Sequence, residues 1–77
     1  MGKLKVLSGR EVRAILEAHG FIFISQKGSH MKMRRQVETD GETVTYATIV
    51  PDHKELRIGT LSDIVRQSGL GRELFEA

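Results

Sequence analysis

The chain has 77 residues, of which 29% are charged and 39% are apolar, and its formal net charge is +2. A chain of this length has room for one core, so we expect a single domain that spans residues 1–77. It contains no cysteine, which excludes disulfides and thiolate metal sites and is typical of a protein of the reducing cytoplasm. No apolar run suits a signal peptide or a spanning helix, so we expect no membrane association.

The first predicted element is a helix at about residues 9–19. Ser8 precedes apolar residues at helical spacing, and Glu11 follows it by three residues, a pattern that predicts a capping box. Gly20 then ends the helix, because glycine readily takes the left-handed conformation that closes a helical C-terminus.

The middle of the chain predicts a three-stranded antiparallel meander, because an alternating run stands between two runs rich in β-branched and aromatic residues, and glycine turns separate the three. The first run is apolar throughout, so we expect both of its faces to be largely covered. The second run alternates, which places Met31 and Met33 in the core. The strands are expected at residues 21–24, 29–37 and 43–50, with turns at 27–28 and 40–41 and with Pro51 ending the third strand.

A second helix is expected after Thr60, which precedes apolar residues at helical spacing and has Asp63 three residues later. Gly69 ends this helix, and the apolar residues of 70–75 predict a final helical turn that returns to the core. The fold class is therefore α+β, with a three-stranded antiparallel sheet packed on two helices (α-β-β-β-α) as in double-stranded-RNA-binding domains.

The chemical signal of the chain is concentrated in a basic turn, Gln26–His30, which delivers a histidine to the start of a strand. His30, Lys32 and Arg34 share the strand face opposite the core. Histidine both takes and gives a proton near neutral pH, so an exposed imidazole among cations suits cleavage of RNA by its own 2′-hydroxyl. We expect His30 to be catalytic and the surrounding residues to bind RNA, namely Lys27, Gly28, Ser29, Lys32 and Arg34.

Three other interpretations stay open from the residues alone. One is that His30 only begins a solvated strand whose basic residues serve solubility. Another is a non-catalytic RNA-binding module in which the same basic strand holds phosphates. The third is a plain protein-interaction domain. A histidine directly after the turn favours the nuclease over the RNA binder, because lysine or arginine there would serve a binder equally well.

The other two histidines are weaker candidates. His19 is interpreted as an exposed residue near the end of the first helix. His53 follows the third strand and becomes a second acid–base group only if its loop folds back beside the turn. The spacing of the three histidines matches no metal motif, so we expect neither a metal nor another cofactor.

Short motifs extend over nearly the whole chain: Lys27-Gly28-Ser29-His30, Val50-Pro51, Lys54-Glu55-Leu56, Gly59-Thr60-Leu61 and Ser68-Gly69-Leu70. In this order the chain resembles the HicA family of small mRNA-interferase toxins, although Met31 stands where a second histidine is common. The resemblance implies a toxin that cleaves mRNA with a single histidine, which corresponds to His30. It also implies a partner antitoxin, HicB, that silences the toxin.

Overall fold

A computed structural model describes residues 2–77 and contains the elements in the order α-β-β-β-α, as the sequence predicts. Both strand pairs are antiparallel and the sheet order is β1-β2-β3, so the α+β fold class is confirmed. The elements are α1 (Gly9–Ala18), β1 (Ile22–Lys27), β2 (His30–Thr39), β3 (Glu42–Pro51), α2 (Ile58–Ser68) and a 3-10 turn (Arg72–Phe75).

The helices cover one face of the sheet and leave the other bare. The described residues measure 38 × 34 × 19 Å. A helix with its side chains is about 10–12 Å across, so the shortest extent accommodates the sheet and a single helical layer. We call the uncovered side of the sheet the open face. The core lies between the sheet and the helices and contains Leu4, Leu7, Val12, Leu16, Phe21, Met31, Met33, Val50, Leu56, Leu61, Ile64, Val65 and Phe75.

The predicted capping box begins α1. The Glu11 N–H donates to the Ser8 hydroxyl at 3.0 Å, and the Ser8 N–H donates to the Glu11 carboxylate at 2.8 Å. The hydrogen bond from the Ser8 backbone is the main reason that the pKa of the Glu11 carboxyl lies below its ordinary value, and the bond with the Ser8 side chain adds to the effect. Glu11 therefore remains an anion in the first turn, where the helix dipole favours negative charge.

The prediction that residues 21–24 form a strand covered on both faces is wrong. Phe21 is buried but precedes β1, and all six residues of β1 are exposed. The cause is that β1 lies at the edge of the sheet and borders the open face, where Ile22 is 57% exposed. On the helical side, the guanidinium of Arg13 lies 4.1 Å from the centre of the Phe23 ring and partly covers it.

The predicted N-cap at Thr60 is also wrong. Helix α2 begins at Ile58, and Thr60 is its third residue. The buried Leu56 donates its N–H to the Leu7 carbonyl at 2.8 Å, which fixes the chain directly before the helix. The extended Arg57 then accepts the first helical hydrogen bond through its carbonyl and needs no capping side chain.

The motif Ser68-Gly69-Leu70 forms the end of α2 and has a structural role. Gly69 has φ +69° and caps the helix, as predicted, and a Cβ there would collide with the Tyr46 ring. The Ser68 hydroxyl donates to the Val65 carbonyl at 2.7 Å and accepts from the Leu70 N–H at 3.1 Å. Ser68 and Gly69 therefore serve helix termination and its packing on the sheet.

The predicted final turn returns to the core. Phe75 is fully buried, and its carbonyl accepts a hydrogen bond from the Lys5 N–H at 2.8 Å. Leu4 and Glu76 form an isolated antiparallel bridge beside it. In the part of the chain that the structure describes, no helix is long and apolar enough to cross a membrane.

Candidate active site on the open face of the sheet

The candidate site is built on a two-residue turn, Gly28–Ser29, between β1 and β2. Gly28 has φ +59°, whereas Ser29 does not have a positive φ. Glycine at the first central position is typical of a type II′ hairpin turn, whose twist matches that of the strands. No atom lies within 4 Å of the place where a Gly28 Cβ would be. The turn therefore presents its backbone to open space directly before His30, the first residue of β2.

A bulge in β1 decides which residues of that strand share the open face. Phe23 lies opposite Met33, but the next pair is Ser25 with Lys32, so Ile24 is the extra residue. Side chains alternate between the two faces of a strand, and one extra residue shifts that alternation for every residue after it.

The shifted alternation brings Lys27 beside the candidate histidine. Lys27 pairs with His30 on the open face, while Gln26 pairs with the buried Met31 and faces the helices. The sequence-predicted residues Lys27 and His30 are therefore brought together, and Gln26 lies on the opposite side of the same turn.

The basic residues form one continuous strip, which we call the basic strip: Lys27, His30, Lys32 and Arg34. No acid lies in the three cross-strand rows that contain it, and none of its side chains forms an ion pair within residues 2–77. The next acid on this face of β2 is Glu38, about 26 Å along the strand from His30. The rows are Lys27–His30–Pro51, Ser25–Lys32–Ile49 and Ile22–Arg34–Ala47.

The residues of the strip differ in exposure. His30, Lys27 and Lys32 are exposed, whereas Arg34 is half-buried and its Nε is inaccessible, with no hydrogen-bond partner in the described residues. The strip thus combines exposed cations near His30 with a half-buried one at Arg34.

The start of α1 packs directly behind this turn. The Gly9 N–H donates to the His53 carbonyl at 2.8 Å, and a Cβ at Gly9 would collide with the Pro51 carbonyl. The Asp52 N–H donates to the Ser29 carbonyl at 2.6 Å. The end of β3 is therefore held by the helix on one side and holds the turn on the other.

Three polar side chains complete this support. Gln26 donates from Nε2 to the Gly28 carbonyl at 3.0 Å and, over a long 3.5 Å, to the Asp52 carboxylate. Arg10 donates from Nε to the other Asp52 oxygen at 3.2 Å. The hydrogen bond from Arg10 is the main reason that the pKa of the Asp52 carboxyl lies below its ordinary value, with a smaller contribution from Gln26. Asp52 is therefore an anion at neutral pH.

Sequence reasoning missed Arg10, Gln26 and Asp52. Asp52 lies 42 residues from Arg10 and 26 from Gln26 along the chain, and neither pair has a motif that announces it. The acidic residue directly after Pro51 was the only available signal, and it carries no information about its partners.

The remaining histidines do not join the strip through any hydrogen bond in the described residues. His19 caps α1, and its Nδ1 lies 2.9 Å from the Ile15 carbonyl. His53 is exposed in the loop after β3, where its carbonyl binds Gly9. Within residues 2–77, no group of three or more His, Cys, Asp or Glu side chains is arranged to hold a metal ion.

A groove lies between β3 and α2 and has a volume of about 550 Å³. Lys32 lines this groove, but His30 does not. A substrate must therefore approach His30 across an open surface, as a polymer can, because His30 does not line this groove as it would an enclosed small-molecule pocket. The groove is lined mainly by Lys32, Ala47, Ile49, Thr60, Asp63 and Gln67.

A comparison with protein families connects this surface to a known class of protein. A family model described as "HicA toxin of bacterial toxin-antitoxin" matches residues 9–70, which include α1, the whole sheet, α2 and the turn before His30. The comparisons with curated proteins and with solved structures returned no match. Because the matched span covers most of the chain, the chain belongs to the HicA toxin family, as its motifs predict, and is the toxin of a toxin–antitoxin system.

Proposed function

We propose that this toxin is a metal-independent endoribonuclease that cleaves mRNA in the cytoplasm, blocks translation and growth, and uses His30 as its general acid–base group. The observation that carries the proposal is the position of His30. It is exposed on the open face beside Lys27 and is followed along the same strand by Lys32 and Arg34, with no acid in the same rows.

The chemistry needs one group that moves protons and several that attract phosphate. His30 accepts the proton of the RNA 2′-hydroxyl as that oxygen attacks phosphorus. The bond from phosphorus to the 5′-oxygen then breaks, and the departing oxygen takes a proton from the imidazolium or from water. The products are a 2′,3′-cyclic phosphate and a 5′-hydroxyl, and general acid–base help of this kind contributes about 10² to 10⁴ in rate.

The neighbours of His30 supply charge and access. Lys27 and Lys32 offset negative charge that develops on the phosphate oxygens, and Arg34 continues the cationic path along the RNA backbone. Gly28 lets the backbone come close to a phosphate because nothing projects from it, and Ser29 offers a hydroxyl directly before the histidine.

The decisive experiment is incubation of the purified protein with an unstructured RNA, with and without excess EDTA, followed by analysis of the fragment ends. We expect cleavage in EDTA, 2′,3′-cyclic or 3′-phosphate ends, and at least a 100-fold lower rate for His30→Ala. The melting temperature of His30→Ala should match that of the wild type, because exposed surface substitutions usually change the free energy of unfolding by less than about 0.5 kcal/mol.

Two further variants make the result specific. His19→Ala removes another exposed histidine from a helix end and should cleave like the wild type, whereas His53→Ala asks whether that residue assists proton transfer. Binding of RNA without cleavage would replace the nuclease with a non-catalytic RNA-binding module. Cleavage that EDTA abolishes would contradict the internal-nucleophile mechanism.

The antitoxin implied by the family is proposed to be HicB-like and to act by occlusion. The basic strip lies on a bare face of the sheet, so a partner with acidic or polar groups can cover it and block the RNA path, with electrostatic steering of the encounter. Co-expression of the antitoxin should rescue growth. His30→Ala should still bind it, because an interface rarely depends on one side chain. A complex that cleaves RNA as fast as the free toxin would contradict occlusion.

A further inference from the structure

We propose that Gln26 and Asp52, assisted by Arg10, are positioning residues that fix the Gly28–Ser29 turn and so hold His30 in its catalytic geometry. We call these three residues the turn brace. The inference rests on the proposed ribonuclease function and adds to it residues that lie outside the basic strip.

The brace holds both carbonyl groups of the turn, one through a side chain and the other through a backbone N–H. The Gly28 carbonyl accepts from the Gln26 side chain at 3.0 Å, and the Ser29 carbonyl accepts from the Asp52 N–H at 2.6 Å. The Gln26 amide has two N–H donors, and its second contact is the Asp52 carboxylate at 3.5 Å. Gln26 and Asp52 therefore contact the turn and each other.

The brace lies on the helical side of the sheet, opposite His30. The bulge at Ile24 turns Gln26 toward the helices, and no hydrogen bond joins Gln26 or Asp52 to the imidazole of His30 in the described residues. The brace can therefore affect His30 only through the backbone that leads into β2.

The ion pair between Arg10 and Asp52 is the weakest part of the brace. The side chain of Asp52 is 21% exposed, but that of Arg10 is 82% exposed. Ion pairs with an exposed partner contribute little because water and salt screen them. Loss of Gln26 or of the Asp52 carboxylate should therefore matter more than loss of Arg10, which mainly orients the carboxylate.

A tightly held turn matters because catalysis is sensitive to geometry. Displacement of a catalytic group by about 1 Å can lower a rate by about 100-fold. A two-residue turn at the end of an exposed strand belongs to the part of a fold that opens most readily unless other groups hold it. The brace supplies such groups from α1, from β1 and from the residue that follows β3.

The kinetic test measures kcat and KM for RNA cleavage in a set of variants. We expect Gln26→Ala to lower kcat by about 10- to 100-fold with KM within about threefold of wild type. Asp52→Ala should lower kcat by less, because its backbone N–H still binds the Ser29 carbonyl, and Arg10→Ala should lower it least. Asp52→Asn should retain more activity than Asp52→Ala, because its amide keeps one acceptor oxygen. Gln26→Glu should be at least as impaired as Gln26→Ala, because glutamate cannot donate to Gly28 and would repel Asp52.

The matched control is Glu76→Ala. Glu76 accepts from Arg72 at 2.8 Å and is 17% exposed, so its loss removes an arginine-paired carboxylate of similar burial from another part of the fold. Glu76→Ala should leave kcat within about twofold of wild type. A double variant, Gln26→Ala with Asp52→Ala, should be less impaired than the product of the single effects, because each substitution already breaks the contact between the two side chains.

A second measurement does not depend on cleavage. Amide hydrogen exchange at Asp52 and His30 should become about tenfold faster in Gln26→Ala, while exchange in α2 stays unchanged, because only the turn is released. A purely global loss of stability would accelerate exchange in α2 as well and would contradict local positioning.

The outcomes separate the two proposals. If the wild type does not cleave RNA, the ribonuclease proposal fails and the positioning role fails with it. If the wild type cleaves and His30→Ala does not, while Gln26→Ala and Asp52→Ala match Glu76→Ala in kcat, only the positioning role is overturned. A Gln26→Glu variant with wild-type kcat would overturn it too, because glutamate preserves shape but not the donated hydrogen bonds.

Discussion

The sheet has two hairpin turns of equal length that are held in opposite ways. The Gly28–Ser29 turn has both carbonyls bound by residues outside it and has α1 packed behind it. The Asp40–Gly41 turn has φ +51° and +78°, as a type I′ turn requires, and receives no hydrogen bond from another element in the described residues. Hydrogen bonds from outside the turn therefore hold Gly28–Ser29, beside the basic strip, whereas none in the described residues holds Asp40–Gly41, which we call the free turn.

The largest expected effect comes from separating α1 from the fixed turn. Gly9→Ala places a methyl group against the Pro51 carbonyl, so the start of α1 must move away from the end of β3. We expect the free energy of unfolding to fall by about 3 kcal/mol, at the upper end for overpacking, and cleavage to fall in the protein that remains folded. Urea unfolding followed by circular dichroism measures the first effect.

Gly59→Ala is the control for that substitution. Gly59 also lies in the first turn of a helix, but a Cβ there meets nothing within 4 Å and its φ is not positive. Alanine should raise the free energy of unfolding by about 0.5 to 1 kcal/mol, because it lowers the entropy of the unfolded chain. Equal effects of the two substitutions would contradict the tight contact at Gly9.

The second prediction contrasts the charges near the two turns. Lys32→Ala combined with Arg34→Ala should reduce the slope of log K against log salt for single-stranded RNA by about 1.4, which is 0.7 for each lost phosphate contact. The affinity should fall about tenfold, or about 1.4 kcal/mol. Glu38→Gln with Glu42→Gln, near the free turn, should leave the slope unchanged. Fluorescence anisotropy titrations at several salt concentrations test both, and an unchanged slope in the first pair would mean that RNA follows another path.

The third prediction compares the glycines of the two turns. Gly28 and Gly41 both have positive φ and open space around them, so alanine at either should cost about 1 kcal/mol of stability from backbone strain. Only Gly28→Ala should also lower the cleavage rate, because only that turn leads into His30. A similar loss of cleavage in Gly41→Ala would show that the free turn contributes to RNA binding.

The smallest expected effect is on the melting temperature at low pH. The lowered pKa of Asp52 means that its carboxylate stabilises the folded state above the unfolded pKa, near the ordinary 3.8, and that this stabilisation is lost as the pH falls through the lower folded value. Asp52→Asn should therefore flatten the fall of melting temperature between about pH 5 and pH 2. Asp40→Asn serves as the comparison in the free turn. An equally flattened pH dependence in that variant would contradict a specific contribution of Asp52.

Local patterns predicted much of this fold because their causes are local. The capping box of Ser8 and Glu11 involves residues three apart, the positive φ of Gly28 and Gly41 follows from glycine, and alternation alone places Met31 and Met33 in the core. The same alternation places His30, Lys32 and Arg34 of the basic strip on one face, whereas Lys27 joins them through the bulge in β1. These are interactions within one element or one turn.

The failures share a different cause, which is that they depend on distant parts of the chain. The exposure of β1 depends on its being an edge strand, and the start of α2 depends on Leu56 reaching Leu7. The turn brace needs Arg10, Gln26 and Asp52 from three separate segments. An apolar run or a lone threonine carries no information about such neighbours.

The bulge at Ile24 makes the length of β1 part of its function. Because Ile24 has no partner on β2, deletion of that residue would leave Phe23 opposite Met33 and Ser25 opposite Lys32. Deletion of Gln26 would instead place Ser25 opposite Met31, because the turn keeps Lys27 opposite His30, and would remove the amide that binds the Gly28 carbonyl. Within one short strand, deletion of Ile24 is therefore expected to keep the pairs on both sides of it, whereas deletion of Gln26 removes a side chain of the turn brace.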